Sequence, residues 1–338
     1  MKKLHIFFLI LIALVFVSVL TLGFILDGRE KSNIIKNQIV EIKGENYRQK
    51  TLTTFLLMGI DKDYIEQSIG ITNQQQCDFV AVVTFDYGNK EYSVLQFNRD
   101  SMVKVERLNM GGLRSGDYQV MQLALAHTYG SGLKDSCDNA SRCISDLLYG
   151  LEIDYYIAFT MQSVRQVIDF VASETGIPVT FDQDYTTIDD EYSEGNTVYM
   201  DGEEAFRFIR ARQTVEDGTN ISRMHRQRLF MDTFLSYMKD DENNTKDLNY
   251  VELYKNLNED IKEESSEYPR YLIYSNCSAS VMSSLFRDIR VFNMKDNEIK
   301  TPAGEIDYTK KYVEFYIDND SLDNLAIDLY FTKTKATN

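Results

Sequence analysis

The chain is 338 residues long, carries a formal net charge of −16 and is 43% hydrophobic. Such an acidic balance argues against a sequence-independent hold on DNA or RNA, which rests on basic surface that neutralises phosphates. The hydrophobic fraction is enough to bury a substantial core, which argues against extensive disorder.

The first residues, Met1-Lys2-Lys3-Leu4-His5, are followed over residues 6–26 by an uncharged, apolar stretch long enough to cross a bilayer as a helix. No small-residue cleavage pattern closes that stretch, so it reads as a signal-anchor rather than a cleaved signal peptide. Lys2 and Lys3 place residues 1–5 in the cytoplasm by the positive-inside rule, although Arg29 and Lys31 reduce the contrast. The expected protein is a single-pass cell-membrane protein with an extracytoplasmic working domain.

Residues 27–50 read as a polar juxtamembrane linker or short helix. Apolar, β-branched runs at residues 53–59, 79–85 and 92–97 predict core strands, the last two joined by the turn-like cluster Asp86-Tyr87-Gly88-Asn89-Lys90. Helical spacing predicts helices over residues 120–129, 140–149 and 161–172, with strands at 155–159 and 178–181 bracketing the last of these. Residues 202–209 predict a short helix. Residues 222–238 predict a longer one, with Met224, Met231, Leu235 and Met238 as its core stripe and Arg223, Arg226 and Gln227 on the neighbouring face. The chain is charged and polar over 239–266, then strand-like at 312–317 and 326–331. The fold class is α/β, a mixed central sheet covered by helices, with the main domain over residues 51–240. Residues 241–338 are an extension of the same fold or an appended lobe.

The cysteines Cys77, Cys137, Cys143 and Cys277 match no zinc pattern, and Cys137 with Cys143 is the pair to test as a disulfide. Outside the anchor only His127 and His225 remain, which disfavours a His-rich zinc site and a Ser-His-Asp hydrolase. His127 reads as a structural helix-end residue. No nucleotide-binding glycine loop and no nucleophile elbow occurs.

Between Arg207 and Arg228 stand six arginines and no lysine: Arg207, Arg210, Arg212, Arg223, Arg226 and Arg228. Guanidinium is a planar fork that grips phosphate oxygens through two hydrogen bonds, so a uniform choice of arginine points to a diphosphate site. The alternative is a solvated helix face salt-bridged to Glu203, Glu204, Glu216 and Asp217. Asp61, Asp78 and Arg99 fall at strand ends or the turns beside them, where open α/β sheets place ligands. Two carboxylates without a nearby histidine suit Mg²⁺, although Asp61 reads equally as a turn former.

In order along the chain, Phe55 to Asp61, Cys77-Asp78-Phe79, Asn98-Arg99-Asp100-Ser101, Ala126-His127-Thr128-Tyr129-Gly130, Ile153-Asp154-Tyr155-Tyr156, Met200-Asp201-Gly202-Glu203-Glu204-Ala205, Arg210-Ala211-Arg212 and Arg223-Met224-His225-Arg226-Gln227 resemble the LytR-CpsA-Psr family. The resemblance implies a membrane-anchored enzyme that transfers a glycopolymer from an undecaprenyl-pyrophosphate carrier to a muramic-acid hydroxyl of peptidoglycan. By the same resemblance, Asp61 and Asp78 are Mg²⁺-associated. Arg99, Arg210, Arg212, Arg223 and Gln227 bind pyrophosphate, and Arg226 matches the motif with either that role or a structural one. Asp78 or Asp100 is the candidate base, so the expected catalytic set is Arg99, Asp78 and Asp100. The chain departs from the family at Asp63, Gln76 and Gln122, positions that are often cationic in other members. Altered donor chemistry, compensation by Arg107, Arg114 or Arg207, and a weakened enzyme are all open consequences. Two other readings compete, a polyprenyl-pyrophosphate hydrolase and a non-catalytic, membrane-tethered regulatory protein.

Overall fold

The computed structural model describes residues 38–68, 70–172, 175–212, 217–259, 261 and 268–334. The expected tail and membrane anchor lie outside the described residues, among which no helix is long and apolar enough to cross a membrane.

Six strands form the central mixed sheet: β1 (Thr53–Ile60), β2 (Cys77–Asp86), β3 (Glu91–Phe97), β4 (Tyr155–Thr160), β5 (Ile273–Ser275) and β6 (Asn293–Met294), in the order β5-β4-β1-β2-β3-β6. β1 runs parallel to β4 and β3 to β6, while the other neighbours are antiparallel. β1 and β2 are apolar on both faces because both faces are covered by helices.

The helices are α1 (Lys134–Leu147), α2 (Met161–Val171), α3 (Gly202–Arg210), α4 (Asn220–Lys239), α5 (Tyr250–Leu257), α6 (Ala279–Val291) and α7 (Asn319–Tyr330). On one face, Leu56, Met58, Val80 and Val82 pack against Cys137, Ala140 and Ile144 of α1 and Leu322, Ala326 and Leu329 of α7. On the other, Phe55, Ala81 and Val83 meet Val171 of α2, Met238 of α4, Leu253 of α5 and Met282 of α6. α3 begins in a capping box, with Asp201 accepting from the Glu204 amide and the Glu204 carboxylate accepting from the Asp201 amide, and this fixes where the helix starts.

The structure departs from the sequence pattern in four places. Residues 120–129 are not one helix: Tyr118–Gln122 pairs with Met102–Glu106 as a hairpin, and Leu123–Thr128 forms a 3-10 turn. Val120 opposes Lys104 across that hairpin and is exposed, so it begins no buried helical stripe. Residues 326–331 are mostly the end of α7, whose buried Leu322, Ala326 and Leu329 recur at helical period. The polar region after 239 contains α5, which buries Tyr250, Leu253, Tyr254 and Leu257. The expected linker ends in a hairpin, Ile39–Ile42 with Glu45–Gln49, and the second strand also pairs with Phe331–Lys333. Residues beyond 240 supply both edge strands of the central sheet, β5 and β6.

Cys77, Cys137, Cys143 and Cys277 are buried free thiols. His127 is buried, with Nδ1 3.0 Å from the Gln75 carbonyl oxygen and Nε2 3.6 Å from Cys137 Sγ. Burial lowers its pKa to about 4, so it is a neutral structural histidine.

Candidate active site at the strand ends

Antiparallel pairing brings the end of β1 beside the start of β2, with Ile60 opposite Cys77 and the Asp61 amide donating to the Gln76 carbonyl at 3.2 Å. The approach is close enough to require glycine, since a Cβ on Gly59 would lie 2.8 Å from Phe79 Cβ. β3 pairs with β2 through Val80 and Phe97, so Arg99, two residues past Phe97, arrives at the same end of the sheet. Three separate stretches of sequence thus present Asp61, Asp78 and Arg99 together.

α4 crosses this end with Arg223 directed at Asp78. Arg223 Nη1 donates to Asp78 Oδ2 at 2.9 Å and Nη2 to the Asp78 carbonyl at 3.3 Å, while the Asn220 side chain also accepts from Nη2. Arg99 Nη1 pairs with the other Asp78 oxygen, and its Nη2 donates to Gln76 Oε1 at 2.9 Å. Asp78 is therefore gripped by two guanidinium groups. Arg99 Nε stands 3.4 Å from Asp100 Oδ1, and Arg212 Nη2 stands 3.8 Å from Asp100 Oδ2. Arg210 reaches Asp61 at 3.2 Å in a more exposed pair.

Burial concentrates the positive charge. Arg223 is 3% exposed, and burial followed by repulsion from Arg212 lowers its pKa to about 10, still protonated at neutral pH. Burial also lowers that of Arg99, opposed by Asp100. Yet Arg99 Nε, Arg223 Nε and Asp100 Oδ2 are buried without a hydrogen-bond partner. Buried polar groups are normally satisfied, and here Arg99 Nε has only the long ion pair to Asp100 while Arg223 Nε has no hydrogen-bond acceptor.

Arg226 behaves differently. It is 1% exposed and donates to the Phe208 carbonyl at 3.0 Å and to the Ala211 carbonyl, closing the C-terminal end of α3. The three residues expected on one helix face therefore divide: Arg223 and Gln227 reach Asp78 and Gln96 at the strand ends, and Arg226 holds α3 against α4. Gln227 Oε1 accepts from Gln96 Nε2 at 2.9 Å. Sequence reasoning passed over Asn220, whose amide donates to Asn98 Oδ1 at 2.7 Å while its oxygen takes Arg223. Nothing in its local sequence distinguishes it from an ordinary residue of a helix's first turn.

Beside Gln227 opens an apolar cavity of about 280 Å³ between the sheet and α2, α4, α5 and α6. Leu57, Phe79, Ala81, Val83 and Ile157 form its floor, with Val164, Met231, Leu235 and Phe286 among the residues of its roof. Phe79 and Gln227 belong both to this wall and to the neighbourhood of Asp78 and Arg223, so the apolar cavity adjoins the arginine cluster.

For a metal, Asp61 and Asp78 supply hard oxygen donors at adjacent strand ends. Among the described residues no group of three or more His, Cys, Asp or Glu side chains is arranged to hold an ion. Both Asp78 oxygens are paired with Arg99 and Arg223, and Asp61 with Arg210, so a cation would have to share these carboxylates with the arginines.

Residues 22–306 match the model of the LytR_cpsA_psr family. The chain belongs to that family. No curated protein sequence matches it significantly. Among solved structures it is similar in fold to B. subtilis TagV, at 21% identity and a TM-score of 0.57, over 83% of this chain and 96% of that one. It is also similar to the LytR-CPS2A-psr family protein YwtF (TagT) with bound octaprenyl pyrophosphate lipid, at 18% identity and a TM-score of 0.54, covering 83% and 89% of the two chains. TagT bound to LI-WTA gives 18% identity and a TM-score of 0.57, covering 83% and 90%.

Within this LytR_cpsA_psr member, two of the three departing positions are built into the site. Gln76 accepts from Arg99, and Gln122 Nε2 donates to Asp100 Oδ1 at 3.1 Å and to the Val313 carbonyl at 2.6 Å. Asp63 is exposed on the turn after β1. Arg107, Arg114 and Arg207 are engaged elsewhere, with Asp117, Glu106 and Asp189 respectively.

Proposed function

We propose that this protein is a membrane-anchored, extracytoplasmic phosphotransferase that moves a glycopolymer from a polyprenyl-pyrophosphate carrier to a peptidoglycan hydroxyl. The observation that carries this reading is the junction at Gln227, where an apolar cavity adjoins the cluster of buried Arg223 and partly buried Arg99. A prenyl tail fits the first and its diphosphate the second. The bound octaprenyl pyrophosphate of the YwtF (TagT) structure and the LI-WTA of its companion support the same donor chemistry.

In this reaction the acceptor oxygen attacks the phosphorus that bears the sugar. A new O–P bond forms, the bond from that phosphorus to the bridging diphosphate oxygen breaks, and prenyl phosphate leaves with the electron pair. Phosphoryl transfer depends mainly on positioning and on neutralising charge on the transferring group. Arg99 and Arg223 are held by their shared pairing with Asp78 to do both, with Arg210 and Arg212 at the more exposed side. Asp61 and Asp78 would hold Mg²⁺, whose chemistry is to polarise and neutralise diphosphate oxygens. Asp100, 2% exposed and with one oxygen lacking a hydrogen-bond partner, accepts the proton of the attacking hydroxyl.

The test uses full-length protein in detergent, a short-chain prenyl-pyrophosphoryl sugar and a peptidoglycan oligomer, with and without Mg²⁺. Transfer falls roughly 100- to 1,000-fold in Arg99→Ala and in Arg223→Ala, and needs the metal. Release of prenyl phosphate without any acceptor makes the protein a hydrolase instead. Donor binding with no turnover in either assay leaves a regulatory binding protein.

A further inference from the structure

Helix α4 opens on Thr219, whose hydroxyl accepts from the Ser222 amide at 3.3 Å and so fills the N-cap position. Asparagine at a helix start ordinarily serves as that cap. Asn220 is released from this task, and its side chain turns inward, where it is 2% exposed. Its Nδ2 donates to Asn98 Oδ1 at 2.7 Å, and its Oδ1 accepts from Arg223 Nη2. Asn98, also buried, directly follows β3 and begins the turn that carries Arg99. Its Oδ1 accepts from the Asp100 amide at 3.0 Å, and its carbonyl accepts from the Ser101 amide at 3.0 Å. Alone, these two bonds describe an ordinary asparagine turn. The third, from Asn220, ties that turn to a helix 122 residues away in the chain.

The bonds close a circuit. Asn98 adjoins Arg99 in the chain, and Arg99 pairs with one oxygen of Asp78. Arg223 takes the other oxygen at 2.9 Å and returns through Asn220 to Asn98. The two halves of this circuit differ in charge. Asp78 is a carboxylate, so an anion competes with it for both guanidinium groups, and a cation competes with those groups for it. The amide pair is neutral and engages Arg223 through Nη2 alone, so neither competitor displaces it. Buried hydrogen bonds of this kind hold their geometry, because breaking one strands polar atoms away from water.

We infer that Asn98 and Asn220 are positioning residues of the diphosphate site: their amide pair keeps the Arg223 guanidinium at a set place beside Arg99 when a ligand draws the arginines off Asp78. The inference rests on the diphosphate-binding role proposed above and adds to it two residues that act through Arg223.

The experiment titrates inorganic diphosphate into full-length protein in detergent by calorimetry, with a thermal midpoint recorded for each variant. Asn98→Ala and Asn220→Ala are each expected to weaken binding about tenfold. The double variant is expected to lose about tenfold as well, rather than about a hundredfold, because either change opens the same link. Asn220→Asp still accepts from Arg223 and from a turned Asn98 amide, so it is expected to bind within about threefold of wild type. Asn98→Ser, too short to reach Asn220, reads the same link if Asn98→Ala does not fold. Variants that lower the thermal midpoint yet bind diphosphate as wild type does overturn the inference, since the pair is then scaffold. So do losses that multiply in the double variant, or a wild type that binds diphosphate no better than Arg223→Ala. Diphosphate binding that depends on the pair in a protein that transfers nothing upholds the inference and rejects the reaction.

Discussion

Arg223 and Arg226 stand less than one turn apart on α4, and both are almost wholly buried, yet they serve two different regions. At the strand ends Arg223 meets a carboxylate that it shares with Arg99, and its Nε is left without an acceptor. At the α3–α4 junction Arg226 meets the Phe208 and Ala211 carbonyls, groups that the end of a helix leaves unsatisfied. The contrast teaches that burial alone does not separate a binding arginine from a scaffold arginine. The identity of the acceptors and the donors left over do.

The comparison is broken most directly by Arg226→Met, which strands two buried carbonyls at about 1–3 kcal/mol each and so costs roughly 4 kcal/mol of stability. Chemical denaturation of the full-length protein measures this. The matched Arg223→Met variant also loses contacts, to Asp78 and Asn220, but removes repulsion from the neighbouring Arg212 and Arg210. It is therefore expected to lower the midpoint less than Arg226→Met while losing diphosphate binding. Equal destabilisation by the two variants would show that Arg223 is scaffold as well.

A second test concerns the buried histidine on the opposite face of the sheet. Its folded pKa is lowered to about 4 by burial, while an unfolded histidine titrates near 6.5. Below pH 6.5 the unfolded chain binds a proton that the fold excludes. His127 thus leaves stability undiminished above that pH and removes up to about 3 kcal/mol as pH falls toward 4. Thermal midpoints recorded from pH 7 to 4.5 should drop more steeply for wild type than for His127→Gln. Parallel curves would show that His127 does not contribute to the acid sensitivity.

The smallest expected effect sharpens the division between head and tail sites. Ala81→Phe places a ring in the apolar cavity and is expected to weaken binding of a long-chain prenyl diphosphate about tenfold, with inorganic diphosphate binding unchanged. Equal weakening of both ligands would mean that the cavity and the arginine cluster do not act separately.

Much of this architecture is legible in the chain itself. Phe55-Leu56-Leu57-Met58 and the run from Phe79 to Phe85 lack alternation because they are buried on both faces, and they lie in the sheet where the pattern put them. The arginine run and the strand-end residues Asp61, Asp78 and Arg99 were equally visible, because a dense choice of one residue type and a position at a strand end are local properties. The predicted helix over residues 120–129 fails at its start, because pairing across the hairpin to Lys104 sets the conformation of Val120. Leu322, Ala326 and Leu329 form the buried stripe of α7, although residues 326–331 alone had looked like a strand.

The sequence by itself determined which stretches are apolar, where the guanidinium groups cluster and which carboxylates end strands, since each follows from neighbours in the chain. Only the tertiary structure decided that Arg223 turns to Asp78 and Arg226 to the end of α3, that Gln122 reaches Asp100, and that residues beyond 240 close both edges of the sheet. Those outcomes depend on partners far apart in sequence. For a long, flexible side chain, burial and available acceptors fix its direction, and neither exists until the chain has folded.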